Sequence, residues 1–218
     1  MPKAYKLLVF DWDGTVMDSA GVIVSSLQQA CVDLGLEAPS ADRARHVIGL
    51  GLKDALSYIA PRLPESDYEA LSLRYRTHFL AQDLSIPLFP GVSGAVQDLH
   101  ARGFSLAVAT GKSRHGLDRV LAQTGLGGYF HYTRCADEGH SKPHPGMLQD
   151  IMQWLSYEPH ETLMIGDTSH DLQMAINAGV DSVAVAYGAH AKEDLLAYRP
   201  LLCAANFTEL HQWLIAHA

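Results

Sequence analysis

The stretch Leu7-Leu8-Val9-Phe10-Asp11-Trp12-Asp13-Gly14-Thr15 decides the fold. Four consecutive apolar residues without polar alternation read as a strand covered on both faces, as in a parallel sheet under helices. The run stops at two aspartates two positions apart. In an open parallel sheet, ligands bind in the crevice beyond the carboxyl ends of the strands. Two carboxylates that close together repel unless they share a cation or a proton, and Gly14 permits a tight turn beside them. Taken alone, the same residues also fit an Asp-rich turn that caps a helix.

Working outward, similar apolar runs recur at Phe104–Ala109, Thr162–Ile165 and Ser182–Tyr187, and the first strand extends back to Lys6. Helical patterns lie between them at Val92–Ala101, His115–Gln123, Met147–Leu155 and Ser169–Asn177. Three of these are followed by Gly103, Gly125 and Gly179, where a left-handed C-cap belongs. Such alternation predicts an α/β fold with a doubly wound, Rossmann-like parallel sheet. From Asp18 to Ser85 only helical periodicity is found: Val22–Leu34, Arg43–Ile48, Lys53–Ala60 and Glu65–Ala81. The expectation is therefore a core made of residues 1–17 and 86–218, with a helical domain inserted at 18–85. Its exit, Ile86-Pro87-Leu88-Phe89-Pro90-Gly91, reads as a stiff hinge. No element is assigned between Gly125 and Lys142 or after Tyr187.

With 48% apolar and 18% charged residues in 218, the chain has material for a packed core and is not of disordered composition. A formal charge of −8 argues against nucleic acid and anionic membranes as partners, and twelve histidines make the surface charge sensitive to pH. No apolar stretch approaches the roughly 18 residues of a membrane span. Cys31, Cys135 and Cys203 are scattered without pairing or metal-site spacing, which predicts a reducing, cytoplasmic setting.

Three further motifs sit where strands end. Gly166-Asp167-Thr168-Ser169-His170-Asp171 opens a helix; Asp167 and Asp171 could meet on one hard divalent cation, or either could cap the helix. Thr110-Gly111-Lys112 offers a hydroxyl and backbone N–H groups as an anion cradle, although Thr-Gly is also common turn chemistry. Lys142-Pro143-His144-Pro145 holds a cation in a stiff segment.

In this order, the four motifs DWDGT, TGK, SKPHP and GDTSHD resemble those of the haloacid dehalogenase superfamily of phosphotransferases, and the helical insert looks like that superfamily's small cap. Residues 9–15 and Ile48-Gly49-Leu50-Gly51-Leu52 are most similar to the phosphoglycolate-phosphatase-like branch. The resemblance implies that Asp11 is the nucleophile and forms an aspartyl-phosphate. Asp13 would be general acid and then base, Thr110, Gly111 and Lys142 would bind the phosphoryl group, and Asp171 would complete the acidic loop. It implies Mg²⁺ as cofactor, held by Asp11, the backbone carbonyl of Asp13, and Asp167.

The haloacid dehalogenases proper lack the second acid, so Asp13 points to a phosphatase. Sugar-phosphate mutases of the superfamily carry a cap-loop arginine where this chain aligns Leu52. Phosphonate-cleaving relatives need a cap lysine in a loop context that Lys53 does not match. The expected substrate is a small phosphorylated metabolite, with 2-phosphoglycolate first and sugar phosphates, nucleotides or pyrophosphate behind it. β-Phosphoglucomutase-like or pyrophosphatase activity, or a receiver-like phospho-acceptor module, are the competing readings, and the chain is expected as monomer or homodimer. Arg43, Arg45 and His46 could reach a substrate carboxylate or be solvated. Trp12 reads as packing, and His140 and His144 read as loop histidines rather than zinc ligands.

Overall fold

The computed structural model describes residues 5–218. Among them a six-stranded parallel sheet runs in the order β3-β2-β1-β4-β5-β6. The strands are β1 (Leu7–Phe10), β2 (Ser105–Thr110), β3 (Tyr132–Cys135), β4 (Thr162–Gly166), β5 (Asp181–Val185) and β6 (Cys203–Ala204). β1 lies in the middle, with Leu8 beside Leu106 on one side and Leu163 on the other. Because side chains alternate along a strand, Leu8 and Phe10 enter one core and Leu7 and Val9 another. That is why the opening run carries no polar residue.

The first face packs under α5 (Val92–Ala101), α6 (Arg114–Thr124) and α10 (Phe207–His217), through Val96, Leu99, Leu117, Val120, Leu210 and Leu214. The second packs under α7 (Gly146–Leu155) and α8 (Ser169–Ala178), through Leu148, Ile151, Met174 and Ala175. A short α9 (Lys192–Leu196) covers the end of the sheet near β5 and β6. Side-chain caps fix several helix starts: Ser113 accepts from Gly116 N at 3.3 Å, and Asn206 accepts from Glu209 N at 2.9 Å.

Between β1 and β2 the chain forms α1 (Ala20–Asp33), α2 (Ala41–His46), α3 (Leu52–Ile59) and α4 (Tyr68–Leu80). α1 packs along α4, and Ile23, Leu27, Leu56, Leu71 and Phe79 fill the space between them. The two chain segments joining this insert to the sheet are tied together. Met17 bridges Leu88, Asp18 N donates to Pro87 O at 3.0 Å, and Phe89 N donates to Val16 O at 3.1 Å.

Several expectations need correction. β3 and β6 were not anticipated: β3 is a partly exposed edge strand carrying Thr133 and Arg134, and β6 has two residues, too few for a period. α9 and α10 fill the unassigned C-terminal stretch. The pattern at Glu65–Ala81 is a 3-10 turn at Glu65–Asp67 followed by α4. α2 starts two residues earlier than its periodicity indicates because Ser40 accepts from Arg43 N at 3.2 Å and sets the cap there. β5 ends at Val185, short of Tyr187, whose hydroxyl turns back to donate to Thr15 O.

Leu8 is fully buried between two neighbouring strands. Leu8→Ala should cost about 2–5 kcal/mol, read as a lower urea midpoint at unchanged slope; an unchanged midpoint would contradict this packing.

Candidate active site

The strand order reverses between β1 and β4, so the residues following those strands meet at the crevice. Asp11 follows β1, and its N–H donates to Ile165 O at 2.9 Å; Asp167 follows β4. Lys142 enters from the segment before α7 and places Nζ 2.6 Å from Asp11 Oδ1 and 2.6 Å from Asp171 Oδ1, with all three side chains fully buried. Asp171 serves two purposes. Its Oδ2 accepts from Thr168 N and Oγ1 at the start of α8, while its Oδ1 holds the lysine. Asp171 thus caps α8 with one oxygen and holds Lys142 with the other.

Asp167 is held as tightly. Its Oδ1 accepts from Thr15 Oγ1 at 2.8 Å and its Oδ2 from Ala189 N at 2.7 Å. Two glycines make room for it. A Cβ on Gly14, which sits at φ +86°, would lie 2.1 Å from Asp167 Oδ2, and one on Gly188 would lie 2.3 Å from Asp167 Cβ. Asp13 stands apart, accepting from Ser19 Oγ at 2.6 Å and facing Lys112 Nζ at 3.0 Å.

Electrostatics follow from this burial. Burial, with Asp171 and Asp167 adding to it, holds the Asp11 carboxyl well above the usual carboxylate range despite the downward pull of Lys142. Asp167 is pushed up to about 7, first by burial and then by the Asp171 carboxylate. Burial alone would lower the Lys142 pKa, but Asp11 and Asp171 outweigh it and keep the ammonium charged.

Asp11 Oδ2 is buried without a hydrogen-bond partner. Oxygens of Asp11, Asp167 and Asp171 lie within 4.8 Å of one another. These buried, closely spaced carboxylate oxygens form a compact, hard donor set, which fits a divalent cation such as Mg²⁺.

The expected phosphate-binding residues lie at the same crevice. Thr110 is fully buried at the end of β2, and its Oγ1 accepts from Lys112 N at 3.2 Å. Gly111 lies directly under the insert: a Cβ there would be 2.5 Å from Leu50 O and 2.6 Å from Gly49 O. Gly51 N donates to Ser141 Oγ at 2.7 Å, closing the same seam. A cavity of about 680 Å³ opens beside it, lined by Asp13, Gly111 and Lys112 from the sheet side and by Ile48, Leu50, Tyr75 and Phe79 from the insert. Arg43, Arg45 and His46 do not line it; Arg43 donates to Tyr58 O within the insert. Trp12 is fully buried against Phe130, as expected of a packing residue.

The structure adds Thr15, Ser19, Lys112 and the Ala189 amide as partners of these carboxylates. Lys112 and Thr15 stood inside quoted motifs, but only the folded geometry shows which carboxylate each one meets.

Comparison with known proteins agrees with this architecture. The family model for haloacid dehalogenase-like hydrolases matches residues 8–185. A protein of Dickeya dadantii named "Probable phosphatase IndB" is 34% identical over 94% of this chain and 91% of its own. A phosphoglycolate phosphatase of Colwellia psychrerythraea is 34% identical over 94% of this chain and 95% of its own. The crystal structure of a hydrolase from Pseudomonas syringae superposes with a TM-score of 0.89 at 19% identity, over 98% of this chain and 99% of that one, a likeness of fold. The chain belongs to the haloacid dehalogenase-like hydrolase family. Among the described residues no helix is long and apolar enough to cross a membrane.

The Asp167 carboxyl is raised in the fold from its ordinary 3.8 to about 7. The folded state therefore keeps a proton that the unfolded chain releases, and in chelator the fold loses stability as pH climbs from about 4 through about 7. A bound cation replaces that proton. The Mg²⁺-induced rise in melting temperature should thus grow between about pH 5 and about pH 8; a rise that is constant or shrinks with pH would remove Asp167 from the cation site.

Proposed function

We propose that this chain is a Mg²⁺-dependent phosphatase that hydrolyses a small phosphomonoester through an aspartyl-phosphate on Asp11, with residues 18–85 acting as the cap over the site. The observation that carries the reading is the buried, unpartnered Oδ2 of Asp11, whose other oxygen is pinned by Lys142. One free carboxylate oxygen in a water-poor pocket is what attack on phosphorus requires.

In the first half-reaction an Asp11 oxygen bonds to phosphorus while the ester P–O bond breaks, and Asp13 gives its proton to the departing oxygen. In the second, Asp13 takes a proton from a water that attacks the acyl phosphate, which returns the Asp11 carboxylate and releases inorganic phosphate. Asp13 is suited to both halves because it lines the cavity, where the leaving group departs and water enters. Lys142 offsets negative charge beside Asp11, and Thr110 with the backbone at Gly111 offers donors to the phosphoryl oxygens. A bound Mg²⁺ would supply charge neutralisation between the anionic nucleophile and the anionic phosphate. Asp11, Asp167 and the backbone carbonyl of Asp13 would hold it.

The roof of Leu50 and Leu52 carries no cap-loop arginine, which supports hydrolysis over mutase chemistry. The relative named for phosphoglycolate makes 2-phosphoglycolate the first substrate to test. A turnover screen across phosphomonoesters should find activity that needs Mg²⁺ and disappears in Asp11→Asn. Undiminished turnover in that protein would overturn the assignment. Asp13→Asn should retain the Mg²⁺-induced rise in melting temperature yet lose roughly 10²- to 10⁴-fold in turnover; full activity would remove its acid–base role.

A further inference from the structure

A second cluster of ligand-type side chains lies outside the carboxylate pocket, on the seam between the insert and the sheet. His46 ends α2, His170 stands in the first turn of α8, and His190 follows β5. A ring nitrogen of each lies within 4.8 Å of one on the other two. The ring centres form a nearly equilateral triangle, at 5.3 Å for His46–His170, 5.3 Å for His170–His190 and 5.6 Å for His46–His190. Three imidazoles on one tetrahedral ion with metal–nitrogen bonds of about 2.0–2.1 Å place their ring centres roughly 5 Å apart. The spacing is already close to that of a three-histidine site.

From this geometry we infer that His46, His170 and His190 form a binding site for a borderline transition-metal cation such as Zn²⁺, separate from the Mg²⁺ pocket, which ties the insert to the core when filled. Nitrogen donors set its chemistry. Imidazole suits Zn²⁺, Ni²⁺ and Cu²⁺, whereas the carboxylates of the neighbouring pocket suit Mg²⁺, so the two sites sort cations by donor type. Burial lowers the pKa of both His170 and His190, so these imidazoles are neutral near pH 7 and keep lone pairs to give. His46 is exposed, which leaves a route for an ion and a position open to water.

In the metal-free form the cluster is satisfied differently. His170 Nε2 lies 2.7 Å and His190 Nε2 3.2 Å from the carbonyl oxygen of His46, and both are placed to donate to it. His190 Nδ1 accepts from Ser169 N at 3.1 Å. Binding through Nε2 would move the His190 proton to Nδ1 and break that bond. Binding through Nε2 also gives up both hydrogen bonds to the His46 carbonyl, so the exchange is three hydrogen bonds against three metal–imidazole bonds. It also means that the site tightens only when the insert is closed, because His46 comes from the insert and the other two ligands from the core.

The experiment is Zn²⁺ titration by calorimetry in excess Mg²⁺, paired with Co²⁺ absorption spectra, on the wild type, His46→Gln, His190→Gln and Asp11→Asn proteins. The expected result is one Zn²⁺ per chain and the visible bands of tetrahedral Co²⁺ in the wild type and in Asp11→Asn. Either histidine variant should weaken binding at least tenfold while keeping its Mg²⁺ turnover. Zn²⁺ should slow turnover of the wild type and not of His46→Gln. Binding that survives both histidine changes, or that vanishes with Asp11→Asn, would overturn the proposal by placing the ion in the carboxylate pocket. These binding and spectral readouts do not depend on the phosphatase reading, so the two can fail separately.

Discussion

Three carboxylates are buried together where β1 and β4 end, and the ammonium of Lys142 lies between two of them. Asp11, Asp167, Asp171 and Lys142 are withdrawn from water, and with the acids ionised one cation does not balance three anions. Burying ions costs several kcal/mol each even after relaxation, and partnering returns only part of it. Much of the surrounding architecture reduces that cost. Thr15, Thr168 and the Ala189 amide donate to the acids, and glycine backbones close in where any side chain would collide with Asp167. The residual negative charge is a standing attraction for a cation. The site sits on the central strands β1, β2 and β4, which are buried on both faces.

The sequence disclosed the parts of this arrangement that are contiguous. An apolar run ending in Asp-x-Asp, and another ending in Gly-Asp, place acids at strand ends, because a parallel strand has to stop where its hydrophobic cover stops. Helical periodicity without strands between Asp18 and Ser85 likewise disclosed the insert. Partners brought from a distance were not legible. Lys112 meets Asp13 across the crevice, and His46 meets two histidines more than a hundred residues away; neither carries a spacing signal. His140 and His144, close in sequence, also stack at 4.2 Å, but only as a pair. The edge strands β3 and β6 were missed for a different reason. An edge strand is half-covered and short, so it needs no run of apolar residues to hold its place.

The seam between the insert and the sheet is narrow and mostly backbone. Carbonyls of Gly49 and Leu50 press on Gly111, and Ser141 and two histidine rings hold the backbone at Gly51 and His46. Contacts of this kind are polar and use backbone atoms of the insert. The cavity beneath mixes apolar walls with cationic side chains, among them Lys112, whose Nζ lies over the Phe79 ring at 4.8 Å. The cavity is thus lined from both sides, by the insert and by the loops that follow the strands.

The bridge between Met17 and Leu88 bears on how the chain reaches this state. β1 pairs with β2 and β4, both of which lie beyond the insert, so the centre of the sheet depends on contacts between residues distant in sequence. Loop closure of that length normally slows folding. Here the intervening residues form helices that pack on one another, and the two ends of the insert are fastened side by side. Once the insert has folded, β1 and β2 behave as strands joined by a short connection. The insert would then serve the nascent chain as the device that brings its first two strands into register.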